Sequence, residues 1–171
     1  MISNKGCSQS QVAAEFPASG IVSGQAHIGV FKGTMPNLDK LFDIVVAAPS
    51  INMQAAVNIV GISQQDFLGS MVLPAMTPVV NVQSRTITLP LSGSANMLNV
   101  IADGTPTWFM YRELSTANTT NTWAGFNLNA IITGAMVGTV GPEGSDAELQ
   151  YTGGALVTGQ AYRVLDLTFQ L

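Results

Sequence analysis

The chain predicts an all-β fold, an antiparallel β-sandwich or jelly roll of about eight strands behind an extended N-terminal arm. Three observations carry this expectation. Residues 162 to 171 place Leu165, Leu167, Phe169 and Leu171 on one face of an extended strand and Val164, Asp166, Thr168 and Gln170 on the other. That period of two is what a half-buried strand needs. Short apolar runs recur along the chain between turns such as Gly141-Pro142-Glu143-Gly144-Ser145 and Thr152-Gly153-Gly154, where glycine permits positive φ and proline presets the bend. No long stretch carries a helical period, and no segment repeats another.

Taken in order, residues 1 to 24 are rich in Ser, Gln, Ala and Gly and read as an arm. Its apolar residues include Val12, Phe16, Ile21 and Val22, too many for an inert tail, so the arm either docks on a neighbouring subunit or forms an edge strand of its own domain. Residues 25 to 171 form one β domain, a length that supports a single core. Its first strand, 25 to 31, alternates Ala26, Ile28 and Val30 with His27, Gly29 and Phe31, and Pro36 and Asn37 end the section that follows. Residues 38 to 48 fit one helical face after Asn37, but the β-branched run Ile44-Val45-Val46 favours a turn and then a strand.

Strands are also expected at 57 to 60, 67 to 73, 79 to 91, 97 to 101, 107 to 112, 131 to 140 and 146 to 151. Gln64-Gln65-Asp66 separates the first two, and Pro90 marks an end or an edge because proline donates nothing to a ladder. Residues 115 to 123 form a polar Thr/Asn loop with Trp123 at its far end.

Composition narrows the function. Charged residues make up 9% and hydrophobic residues 47%, against about 25% charged in an ordinary soluble domain. A surface so poor in charge is weakly protected from association, which points to a subunit covered by copies or partners. The net charge is −4 and the six basic residues, Lys5, Lys32, Lys40, Arg85, Arg112 and Arg163, form no run, so no nucleic-acid surface is expected. The single cysteine, Cys7, makes no intrachain disulfide, and the pattern suits assembly in a reducing cytoplasm. No secretory signal and no membrane span is expected.

Chemistry-bearing residues are sparse. His27 is the one histidine, so any Ser-His-Asp or Cys-His mechanism must use it, yet it sits mid-strand without a nucleophile elbow and reads as a solvent-facing or hydrogen-bonded strand residue. Glu143, Asp146 and Glu148 lie close in sequence, with Asp146 and Glu148 on one strand face, the ordinary solvated pattern, and no metal or cofactor is expected. Trp108, Tyr111, Trp123 and Tyr151 could stack on a sugar, but Trp108 reads as core and Trp123 as a subunit contact. The expectation is a non-enzyme with no catalytic residue, whose interface uses Val12, Phe16, Ile21, Val22 and Trp123.

Three segments carry a resemblance. Ile28-Gly29-Val30-Phe31-Lys32-Gly33-Thr34-Met35-Pro36, Gly104-Thr105-Pro106-Thr107-Trp108-Phe109-Met110-Tyr111-Arg112, and residues 135 to 149 with the following Gly159-Gln160-Ala161-Tyr162 are similar to strand and turn motifs of small bacteriophage and prophage virion β-proteins. The resemblance spans about half the chain and rests on turn glycines and core aromatics. The arm and the long stretch 49 to 80 depart from the shorter members of that class. What it implies is a virion structural component, with capsid or tail left open; taken with the charge-poor composition, the expectation is a homo-oligomeric, preferentially trimeric, capsid decoration (cement) protein of a bacteriophage particle, assembled in the host cytoplasm. Its partners would then be the major capsid protein or other virion proteins. A tail, neck or baseplate adaptor ring, and a carbohydrate-binding module for host recognition, are the alternatives.

Overall fold

In the computed structural model, residues 20–37, 39–40, 50–81, 83–84, 86–91, 96–165 and 167–170 are described. The described chain is mostly β. Strands β1 (Ala26–Phe31), β2 (Phe67–Val72), β5 (Met97–Val100), β6 (Trp108–Leu114), β7 (Ile132–Pro142), β8 (Leu149–Tyr151) and β9 (Ala161–Arg163) make one sheet in the order β8-β7-β6-β1-β2-β5-β9. Only the β7–β8 pair is parallel. The two outer strands come together: Tyr151 bridges Val164, Thr152 N–H donates to the Arg163 carbonyl at 2.9 Å, and Leu165 N–H donates to the Gln150 carbonyl at 2.8 Å. The sheet therefore nearly closes into a barrel, which removes the unpaired edges of an open sheet.

Strands β3 (Val79–Asn81), β4 (Thr86–Leu89) and β10 (Leu167–Gln170) form a second sheet in the order β10-β4-β3. Ile87, Leu89 and Leu167 join Ile28, Val30, Phe109, Tyr111, Leu98 and Leu149 in one apolar cluster, so the small sheet shares the barrel's core. The expectation of a predominantly β chain is met. The finer expectation of a sandwich or jelly roll is not established by this pairing.

A second core lies on the outer face of β1, β2 and β6. Phe31, Phe67, Trp108 and Met110 meet Met53, Ala56, Val57 and Val60 of helix α1 (Met53–Val60) and Phe126 of the short helix α2 (Trp123–Phe126). Both faces of β1 are thus covered, and all six of its residues are buried.

Helix α1 corrects the expected strand at 57 to 60. Asn52 caps it by accepting the Ala55 N–H at 2.9 Å, Gly61 closes it in the left-handed region at φ 80°, and the buried positions 53, 56, 57 and 60 follow the helical repeat. The single long strand expected at 162 to 171 is two, β9 and β10, which belong to different sheets. The strand expected at 146 to 151 is confined to β8, because residues 143 to 148 form the connection from β7. Residues 1 to 19 of the arm, the strand expected after residue 40 and the turn at 92 to 94 lie outside the described residues.

Candidate functional site

The most unusual chemistry of the described chain lies on the outer face of β1 and β6, beneath the segment 115–127. His27 and Arg112 stand directly opposite each other across the β1–β6 pair, and neither side chain reaches solvent. Alternation along each strand sends Ile28 and Tyr111 into the barrel and turns His27 and Arg112 outward, where the 115–127 segment covers them.

Arg112 is surrounded by backbone acceptors. Its Nε donates to the Phe126 carbonyl at 3.1 Å, Nη2 to the Gly125 carbonyl at 2.8 Å and Nη1 to the Gln25 carbonyl at 2.6 Å. The guanidinium also lies over the Phe126 ring, 5.5 Å from its centroid. Burial lowers its pKa to about 9, so it stays a cation at neutral pH, and the three carbonyl dipoles take the place of its hydration.

His27 contributes the second hold. Its Nε2 donates to the Asn118 carbonyl at 2.6 Å, which assigns the proton of the neutral ring to Nε2. Nδ1 is buried and makes no hydrogen bond. Desolvation first, then the Arg112 charge, lower the imidazole to about 4, outweighing the Asn118 and Gly24 carbonyls that favour the cation. His27 is therefore a neutral donor at physiological pH. With its ring sealed under the segment, it has no route to act as a general base on a substrate from solution.

Gly29 completes the site. A Cβ there would lie 2.7 Å from Cε2 of Phe126, so only the bare backbone lets the Phe126 ring sit on the sheet. Phe126 in turn meets Phe31 edge-on at 5.6 Å and Phe67 at 5.4 Å.

Elsewhere, a cleft of about 440 Å³ opens beside the barrel seam, lined among others by Leu91, Asn96, Glu148, Gln150, Arg163 and Thr168. Its polar side chains are largely engaged. Glu148 accepts from the N–H of Thr139 at 2.8 Å and from its hydroxyl at 2.5 Å, and Gln150 bonds Gly144 and Ser145. Asp146 and Glu148 do not share a strand face, since both precede β8. Among the described residues, no three His, Cys, Asp or Glu side chains converge as metal ligands, and no helix is long and apolar enough to cross a membrane.

The expected interface residues are scattered. Val12 and Phe16 lie outside the described residues. Ile21 is buried in the barrel core and bridges Met76, while Val22 beside it is 48% exposed. Trp123 is half-buried and packs edge-on against Phe67 at 5.4 Å, so it belongs to the aromatic face. Trp108 is core, as expected, and stacks on Phe31. Arg112 was not singled out by its sequence. The available signal was a cation inside an otherwise apolar strand, Trp108-Phe109-Met110-Tyr111-Arg112.

The chain matches no protein-family model, no curated protein and no solved structure.

Proposed function

We propose that this chain is a bacteriophage virion structural subunit, and specifically a capsid decoration (cement) protein that binds between capsomers as a homo-oligomer, preferentially a trimer. The observation that carries the reading is the surface. Only 9% of residues are charged, and among the described residues Val22, Ile59, Val79, Met97 and Val157 are large apolar side chains between 39% and 56% exposed. Such a surface favours contact with copies and partners. A nearly closed barrel supports the same reading, since a rigid body without long open edges associates through side chains and resists uncontrolled strand pairing. A cement subunit that binds only the mature lattice stabilises it by mass action.

The absolute mass in solution, by light scattering behind a sizing column, tests this reading. The expected result is three times the 17.9 kDa chain mass, which matches a local three-fold position on an icosahedral shell. A hexamer or dodecamer moves the reading to a tail or neck ring, and a monomer at high concentration overturns the argument from surface composition. Deleting residues 1 to 20 tests the arm separately: unchanged affinity of the truncated protein for particles would remove the arm from the interface.

A further inference from the structure

We propose that His27 and Arg112 form an acid-operated latch, in which a proton taken up by His27 loosens the hold of the barrel on residues 115–127 and releases that segment, with helix α2, from the aromatic face beneath it.

The geometry sets the latch. The two side chains grip the same segment at both ends, His27 through the Asn118 carbonyl and Arg112 through the Gly125 and Phe126 carbonyls. Backbone adds one tie near the first grip, from Asn118 N–H to the Gly24 carbonyl at 2.8 Å. Both side chains are fully buried and directly opposite on neighbouring strands. Nδ1 of His27 makes no hydrogen bond in this structure, and a proton there, which the Gly24 carbonyl favours without outweighing burial and Arg112, sets a second positive charge beside Arg112.

Among the described residues no carboxylate packed against the pair offsets that charge, and the Asn118 and Gly24 carbonyls that favour it are outweighed by burial and by Arg112. Residues 115 to 127 contain no titratable side chain, and the β2 neighbours Ser70 and Val72 are neutral. Glu113, next to Arg112 on β6, falls on the opposite strand face with Tyr111, which donates to it at 3.3 Å. The charged group that faces His27 is Arg112, and it repels. Opening the segment exposes the imidazole to water, where the charge is solvated.

The sign follows by linkage. In the closed form the imidazole takes up its proton only near pH 4, and in the open form near its ordinary value of about 6.5. The open form therefore binds the proton first. Opening is favoured progressively as pH falls below about 6.5, and the gain levels off near pH 4, a span that corresponds to about a 300-fold rise in the opening equilibrium. What opening exposes is apolar: the rings of Trp123, Phe126, Phe67 and Phe31 form the contact it breaks.

Amide hydrogen exchange of the full chain, corrected for the intrinsic rate at each pH, tests the latch between pH 7 and pH 4. The expected result is a loss of protection on the order of 300-fold at the Asn118, Phe126 and Asn127 amides, with the β6 amides of Met110 and Tyr111 retaining theirs. His27→Gln, which can still donate to the Asn118 carbonyl but does not titrate, is expected to abolish that pH dependence. Equal loss in β6, unchanged protection at Phe126, or the same loss in His27→Gln would each overturn the proposal. Should the variant fail to fold, the imidazole signal of the wild type decides, because the chain has one histidine: titration near 6.5 in the folded protein overturns the latch, and a ring that stays neutral until about pH 4 supports it.

Discussion

Phe31 and Trp108 lie face to face across the β1–β6 pair, with ring centroids 4.1 Å apart and planes 9° from parallel. They are direct cross-strand partners, so the stack reports the register of the two central strands as well as the packing outside them. Phe67 and Phe126 close on Phe31 edge-to-face at 5.3 and 5.6 Å. Replacing the stack's larger member should be expensive. Trp108→Ala is expected to lower the unfolding free energy by about 3–5 kcal/mol, read from the shift of the urea midpoint. A double-mutant cycle with Phe31→Leu should show a coupling of about 0.5–1.5 kcal/mol; additive effects would mean that the rings do no more than fill space.

Gly29 and Phe126 make a second, independent check on the outer face. Gly29→Ala forces the Phe126 ring off the sheet, with an expected loss of about 1–3 kcal/mol from overpacking. In a Phe126→Ala background the same change should be nearly silent, since the ring it strikes is gone. An equal loss in both backgrounds would place the strain elsewhere.

Glu113 gives a pH prediction of defined sign. Burial raises its carboxyl above the ordinary range, only partly opposed by the Tyr111 hydroxyl. The fold therefore prefers the protonated form, so the penalty is absent below the ordinary carboxylate pKa and grows as pH rises through the raised value. Glu113→Gln should accordingly be more stable than the wild type at pH 7, by a higher Tm, with the advantage vanishing below about pH 4. A variant less stable at pH 7 would show that the ionised carboxylate is needed.

Asp103 has the opposite sign. Its carboxylate accepts the N–H of Thr158 at 2.6 Å and the Thr158 hydroxyl at 2.7 Å, and these bonds lower its pKa. The stabilisation is present above the ordinary carboxylate range and is lost as pH falls through the lowered value. Asp103→Asn should increase the exchange rate of the Thr158 amide at pH 7 while leaving β6 untouched; identical exchange would make the contact incidental.

Much of the strand content was legible because its signals are local. The alternation in β1 and the aromatic run of β6 are properties of consecutive residues, and both strands lie where the pattern puts them. Helix α1 carries local signals too, since Asn52, the 53-56-57-60 spacing and Gly61 are a complete set of start, face and stop signals, but the β-branched Val57, Ile59 and Val60 read as a strand and the helical set went unread. The break between β9 and β10 was not legible, because alternation persists from 162 to 171 while Val164 turns to meet Tyr151. Which sheet a strand joins depends on distant partners, and a period of two carries no information about them. The His27–Arg112 pairing was hidden for the same reason, since its two members are brought together only by the β1–β6 register.

The barrel seam has a kinetic meaning. Strands β1 and β6, the centre of the large sheet, come from opposite ends of a long loop, whereas the closing contact of Tyr151 with Val164 joins neighbours in sequence. Search for a distant partner is the slow part of such a topology, and a short loop closes with little entropy loss. The seam should therefore form after the rate-limiting step: Val164→Ala should accelerate unfolding and leave the folding rate nearly unchanged, whereas Phe109→Leu in the central strand should slow folding. On this order of events, the last strands of the chain act as a clasp fastened onto a sheet already assembled.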